Sequence, residues 1–153
     1  MQHDFSYDAP MILLLTVGIV AAYLLYQEFS GGSISGNLSA SQIATYAQNA
    51  GFSGVDLVTA VAIALAESGG NPQAYNPETK AGAAPGQGSY GLWQIYLTAH
   101  PEDAGSNLYD PQTNANEAYA IYAAAGGSFR AWSTFLSNAY QSFVSTVQGA
   151  ISA

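Results

Sequence analysis

The chain of 153 residues has no cysteine and almost no positive charge. Without cysteine there is no disulfide framework, no thiolate nucleophile and no thiolate metal site. The redox compartment stays open, because exported proteins can also lack the residue. Lys80 and Arg130 are the only basic side chains against ten acidic ones, for a formal net charge of −8. That balance argues against nucleic acid as a partner, since phosphate binding takes clustered Lys and Arg. It argues equally against electrostatic docking onto anionic lipid. Histidine is scarce too. His3 and His100 stand far apart, which makes a histidine-rich metal centre improbable, and no metal or cofactor is expected.

What is present is apolar and aromatic. Hydrophobic residues make up 49% of a chain of single-domain length, enough to build a core. Residues 9–26, APMILLLTVGIVAAYLLY, carry no charge. At 1.5 Å per residue such a helix reaches roughly 27 Å, the thickness of a bilayer's hydrocarbon core. Phe5 and Tyr7 on one side, with Tyr23, Tyr26 and Phe29 on the other, match interfacial aromatic anchors. The N-terminal flank holds Asp4 and Asp8 and no basic residue, unlike the n-region of a cleavable signal peptide. We therefore read residues 1–8 as a tail and 9–29 as a single transmembrane anchor in contact with lipid. Neither flank offers the basic residues from which the positive-inside rule assigns an orientation. Residues 30–38 are a Gly/Ser-rich linker, and 39–153 form one soluble domain.

Within that domain Ser39 and Gln42 fit a capping box, followed by Ile43, Tyr46, Ala47 and Ala50 at helical spacing up to Gly51. A second helix is predicted over about 55–66, with Leu57, Val58, Val61, Ala62 and Leu65 on its buried face. Residues 69–89 are dense in Gly, Pro and Asn and read as a long functional loop. Residues 90–97, YGLWQIYL, fit a short strand or a helix start, which periodicity does not separate. Asp110 before Pro111 caps a helix running to about 125. A last helix is predicted over about 138–149. The expectation is a mainly α domain with little or no β structure, behind a single N-terminal membrane helix. Tyrosine, at eleven residues, suits sugar binding through its ring and hydroxyl, but most of these rings are expected to pack.

Glu67 is the informative residue. It follows the apolar run VAIALA and falls at the predicted C-terminal end of its helix. Desolvation and the helix dipole both favour a protonated, neutral carboxyl there. A protonated acid in an apolar cleft is what cleavage of a glycosidic bond requires. A second carboxylate would be needed for hydrolysis of the two-carboxylate kind. Asp110 is explained as a cap and Glu102-Asp103 as a solvated turn, which leaves Glu78 as the one worth testing.

Glu67-Ser68 in AESGGNPQAYNP, then Gly91-Leu92-Trp93-Gln94-Ile95 in GSYGLWQI, then AWSTFLSNAY, together resemble the lytic transglycosylases and goose-type lysozymes, with an SLT-like domain of the lysozyme-like superfamily. The similarity spans about residues 39–143. Trp93 stands where Met is commoner, and residues 130–135 replace the usual Ala-Tyr-Asn-Ala-Gly block, so its Tyr and Asn contacts are not reproduced. The resemblance implies a lysozyme-like fold and cleavage of peptidoglycan between N-acetylmuramic acid and N-acetylglucosamine, with 1,6-anhydro ring formation. Glu67 would be acid and then base. Ser68, Tyr90, Gly91, Gln94, Ser133 and Tyr140 would contact the glycan or steady Glu67, and no cofactor is called for. A lysozyme of the same fold is the nearest alternative, and a non-catalytic wall-binding membrane protein of a virion is the next. A tethered wall-cutting domain without a basic leader suits a phage-encoded protein of a virion membrane better than one of a bacterial inner membrane facing the periplasm. Further virion or envelope-complex proteins would then be partners.

Overall fold

The computed structural model describes residues 36–152. The expected tail, anchor and most of the linker lie outside the described residues. Among the described residues no helix is long and apolar enough to cross a membrane.

The capping box forms as the sequence predicts. The Ser39 side chain accepts from Gln42 N while the Gln42 side chain accepts from Ser39 N, opening α1 (Ala40–Ala50). Ile43, Ala44 and Ala47 are buried along one stripe. Gly51 stops the helix at φ 124°, and the ring of Tyr119 lies where a side chain would otherwise sit. Helix α2 (Gly54–Ser68) extends two residues beyond the predicted end. It is also buried more widely than its periodicity indicates: Ala60 to Ala64 are all fully enclosed. The small alanines let α1 and the helical segments 133–136 and 141–151 approach it from several sides. Gly69, in the left-handed region, caps its end through a bond to Leu65 O.

Leu38, the last residue of the expected linker, is buried and its N–H donates to Gly70 O at 2.8 Å. The predicted loop after α2 contains a strand. Strands β1 (Tyr75–Pro77), β2 (Gly88–Tyr90) and β3 (Ile95–Tyr96) form an antiparallel sheet in the order β1-β2-β3. Residues 90–97 are thus neither one strand nor a helix start: β2 ends at Tyr90, residues 91–94 turn, and β3 follows. Strands this short show no alternation to read.

After a 3-10 turn (Pro101–Gly105), Asp110 caps α3 (Pro111–Ala124) by accepting from Thr113 N at 2.8 Å, with Pro111 in the first turn as predicted. The last predicted helix forms as α5 (Gln141–Ile151), three residues later than expected at its start, and a short helix that was not predicted, α4 (Ser133–Leu136), precedes it. Asn138, at φ 59°, lies between them. Aromatic rings link these pieces: Phe52, Tyr122, Phe129, Phe135 and Tyr140 succeed one another at centroid distances of 4.6 to 5.7 Å. Much of the tyrosine is accounted for by such packing. The result is mainly helical with one small sheet, the architecture expected of a lysozyme-like domain.

Candidate active site

Asn114 holds the centre together. It is fully buried in α3, its Oδ1 accepts from Trp93 N at 2.8 Å, and its Nδ2 donates to Tyr90 O at 2.9 Å and Leu108 O at 3.0 Å. One side chain thereby satisfies three backbone groups of the turn after β2 and the loop before α3. Gly91 sits against it at φ 71°, where an added Cβ would lie 2.3 Å from Leu108 O and 2.4 Å from Asn114 Nδ2. Glycine is required here by close packing as well as by conformation. Gly91 is buried, and the structure places it in the core beneath the groove.

Trp93 and Trp132 are core residues. The Trp93 indole N–H donates to Ala60 O of α2 at 2.9 Å, and the Trp132 indole N–H donates to Trp93 O at 2.8 Å. Both rings are buried with their one donor satisfied.

This frame borders a cavity of about 250 Å³ lined by Glu67 at the end of α2, the sheet, Gln94, the segment at Ala99 and His100, Ile121 of α3, and Ala131 to Ser133. The strand register aligns Asn76 with Ser89 and Ser89 with Tyr96. All three line the cavity, so one face of the sheet offers a row of amide, hydroxyl and phenol. Glu67 is the only carboxylate among the lining residues. Its Oε1 accepts a hydrogen bond from Thr134 Oγ1 at 2.7 Å.

The residues that the resemblance singled out divide in two. Glu67, Gln94 and Ser133 come together on the cavity. Gln94 is held there at φ 48°, its side-chain amide anchored by donating from Nε2 to Gly91 O at 3.0 Å and Ala74 O at 3.3 Å. Ser68, Tyr90, Gly91 and Tyr140 are not among its lining residues. The Ser68 hydroxyl donates to Ala64 O at 2.9 Å and accepts from Gly70 N at 3.2 Å, which finishes the helix. Tyr90 alternates with Ser89 on β2 and packs between Tyr75, tilted at 4.8 Å, and Tyr109, edge-on at 5.4 Å. Tyr140 packs on Phe135 at 5.2 Å and borders a different hollow beside Val55 and Val58 of α2. Sequence reading missed Asn76, Ser89, Tyr96 and Thr134. The first three needed the strand register; the last gave no local signal.

Glu78 accepts hydrogen bonds from the Tyr96 hydroxyl and from Lys80 N, so it reaches the cavity through the phenol rather than by lining it. One set of potential metal ligands exists among the described residues: His100, Glu102 and Asp103 offer atoms within 4.8 Å of one another. Glu102 is solvent-exposed and pairs with His100 at 3.4 Å. Beside them, burial foremost and then the Asp103 carboxylate push the Glu117 carboxyl above its ordinary value.

Residues 44–134, well over half of the chain, match the family model described as a lysozyme-like domain. The chain belongs to the lysozyme-like domain family. The matched stretch contains Glu67, the sheet, Gln94 and the tryptophan frame, and ends at Thr134. No curated protein and no solved structure matches the chain. Membership of the lysozyme-like family supports, at a coarse level, an enzyme that acts on peptidoglycan.

Proposed function

We propose that this lysozyme-like domain is a lytic transglycosylase that cuts the β-1,4 bond between N-acetylmuramic acid and N-acetylglucosamine. The observation that carries the reading is that Glu67 is the single carboxylate lining the cavity. Glycosidases that hydrolyse with two carboxylates need the second about 5–10 Å from the first. A lone acid suits a route in which the substrate supplies the nucleophiles.

In that route the Glu67 carboxyl gives its proton to the bridging oxygen as the muramyl C1–O bond breaks. The carbonyl oxygen of the muramyl acetamido group attacks C1 and takes up the positive charge as an oxazolinium. The Glu67 carboxylate then removes the proton from the C6 hydroxyl, O6 attacks C1, and the oxazolinium reopens. The 1,6-anhydro product forms without water, and Glu67 is protonated again. Gln94 and Ser133, with the row Asn76, Ser89 and Tyr96, offer amides and hydroxyls for the sugar's acetamido and hydroxyl groups. The scarcity of positive charge on the protein is no obstacle to a glycan ligand.

We further propose that residues 9–29 anchor the domain in a membrane, and that this is the membrane of a phage virion, where the enzyme opens the wall locally during entry. The uncharged run of residues 9–26 and the Gly/Ser-rich stretch that follows it support a tethered domain.

One observation favours the muramidase alternative: Glu78 is bonded to Tyr96, whose ring lines the cavity. Digestion of peptidoglycan sacculi by the full chain, followed by mass spectrometry of the muropeptides, separates the two. Products lighter by one water than reducing-end muropeptides are expected. Reducing-end products would establish the muramidase, and no release by folded protein would leave a wall-binding module.

A further inference from the structure

Residues 130–135, RAWSTF, replace the usual third block of the resembling enzymes. Thr134 within it makes the one hydrogen bond to the Glu67 side chain found among the described residues. Three hydrogen bonds and a stretch of helix close a ring around that contact. Ala60 O of α2 accepts from Trp93 Nε1, Trp93 O accepts from Trp132 Nε1, and Thr134, just past Trp132, donates to Glu67 Oε1. Glu67 lies about two turns beyond Ala60 on the same helix. The two indoles that carry the ring are buried, so Thr134 is braced against the helix that presents the acid.

We propose that Thr134 is a positioning residue for Glu67, and that it determines which carboxyl oxygen carries the working proton. With Oε1 occupied as an acceptor, the proton resides on Oε2, which has no hydrogen-bond partner among the described residues. In the first step this proton passes from Oε2 to the bridging oxygen; in the second the proton of the C6 hydroxyl returns to Oε2. The threonine proton is not transferred. Its bond holds the carboxyl plane fixed while charge appears and disappears on Glu67. The inference rests on the reading of Glu67 as the acid.

The test compares the full chain with Thr134→Val, which keeps the shape and removes the donor, and with Thr134→Ser, which keeps the donor. Turnover on sacculi is followed across pH. The valine variant should lose up to about a hundredfold in kcat with KM little changed, since misplacing a catalytic group by about 1 Å costs that order of rate. Its alkaline limb should move to higher pH, because a hydroxyl donor favours the ionised carboxylate. The serine variant should recover activity to within about threefold. The other titratable side chains lining the cavity are Tyr96 from the sheet and His100; α3 and residues 131–134 bring none. The shift should therefore persist in a His100→Gln background.

Should the valine variant fail to fold, Thr134→Ala carries the same expectation. A donor-less variant with wild-type kcat and an unmoved limb overturns the inference. Equal loss in valine and serine variants with no limb shift does so too, since packing alone would then explain the contact. A folded wild-type chain that releases nothing overturns the acid reading itself, and this inference with it.

Discussion

The two walls of the cavity are built on opposite principles. On the α2 side, Glu67 stands at the end of a helix whose residues 60–64 are fully enclosed, and Trp93 and Trp132 tie that helix to the segment carrying Thr134. On the sheet side, β1 is exposed throughout its three residues, and the strands are held by backbone pairing and by tyrosines packed on the far face. An acid must be placed to a fraction of an ångström, and close packing supplies that. A glycan-facing wall needs hydrogen-bonding groups in a row, which strand register provides with little core behind it. The comparison implies that changes to the buried frame behind the acid reduce folding and chemistry together, whereas changes to the sheet side alter binding with little loss of stability.

The largest test falls on the joint between the walls. Asn114→Ala leaves Trp93 N, Tyr90 O and Leu108 O without the partners they have at 2.8 to 3.0 Å. At roughly 1–3 kcal/mol for an orphaned buried polar group, with some relief from water, about 4 kcal/mol of unfolding free energy should disappear. Chemical denaturation measures it. Loss below about 1 kcal/mol would mean that the walls stand independently.

Next comes Gly91→Ala, which places a methyl against Leu108 O and Asn114 at φ 71°. A loss of about 3 kcal/mol is expected, from strain and displacement combined. Asn76→Ala sharpens the comparison from the sheet side. It should raise KM for sacculi several-fold while the melting temperature stays close to wild type.

The difference between the walls also explains what the sequence discloses. The caps at Ser39 and Asp110-Pro111 are local chemistry, and both helices begin where those residues predict. Glu67 stands out because an unbroken apolar run precedes it. The sheet is invisible for the converse reason: strands of two and three residues, held by backbone bonds, leave no period in their side chains. Asn76, Ser89 and Tyr96 share a face only through pairing across turns. Thr134 meets Glu67 across 67 positions of sequence, and nothing beside it in the chain announces the contact. Asn114 carries no distinguishing signal, because Gln112 and Asn116 flank it in the same helix and only the fold shows which amide is buried. Gly91 and Ser68 show the limit of motif transfer: one is spent on core packing and the other on ending a helix.

Two smaller effects complete the series. Glu78→Gln should reduce turnover by no more than about threefold if Glu67 works without a partner carboxylate; a fall of about a hundredfold or more would indicate a second catalytic carboxylate. Glu117 tests the periphery. Burial, and after it Asp103, raise its carboxyl above the ordinary value, so the folded domain holds that proton more tightly than the unfolded chain does. The resulting stabilisation is complete below the ordinary carboxyl range and is lost as pH rises through the raised value. Glu117→Gln should leave stability in acid unchanged and flatten its decline towards neutrality, as thermal melts at a series of pH values would show.

The central claim is that Glu67 is the acid and the base of a glycan-cutting reaction. The most direct measurement is muropeptide release from sacculi by the folded full chain and by Glu67→Gln, an isosteric change that removes the transferable proton. The account predicts anhydro products from the wild type and a drop of about a thousandfold or more in the variant, with folding retained. Release by the glutamine variant at a rate near wild type would contradict it.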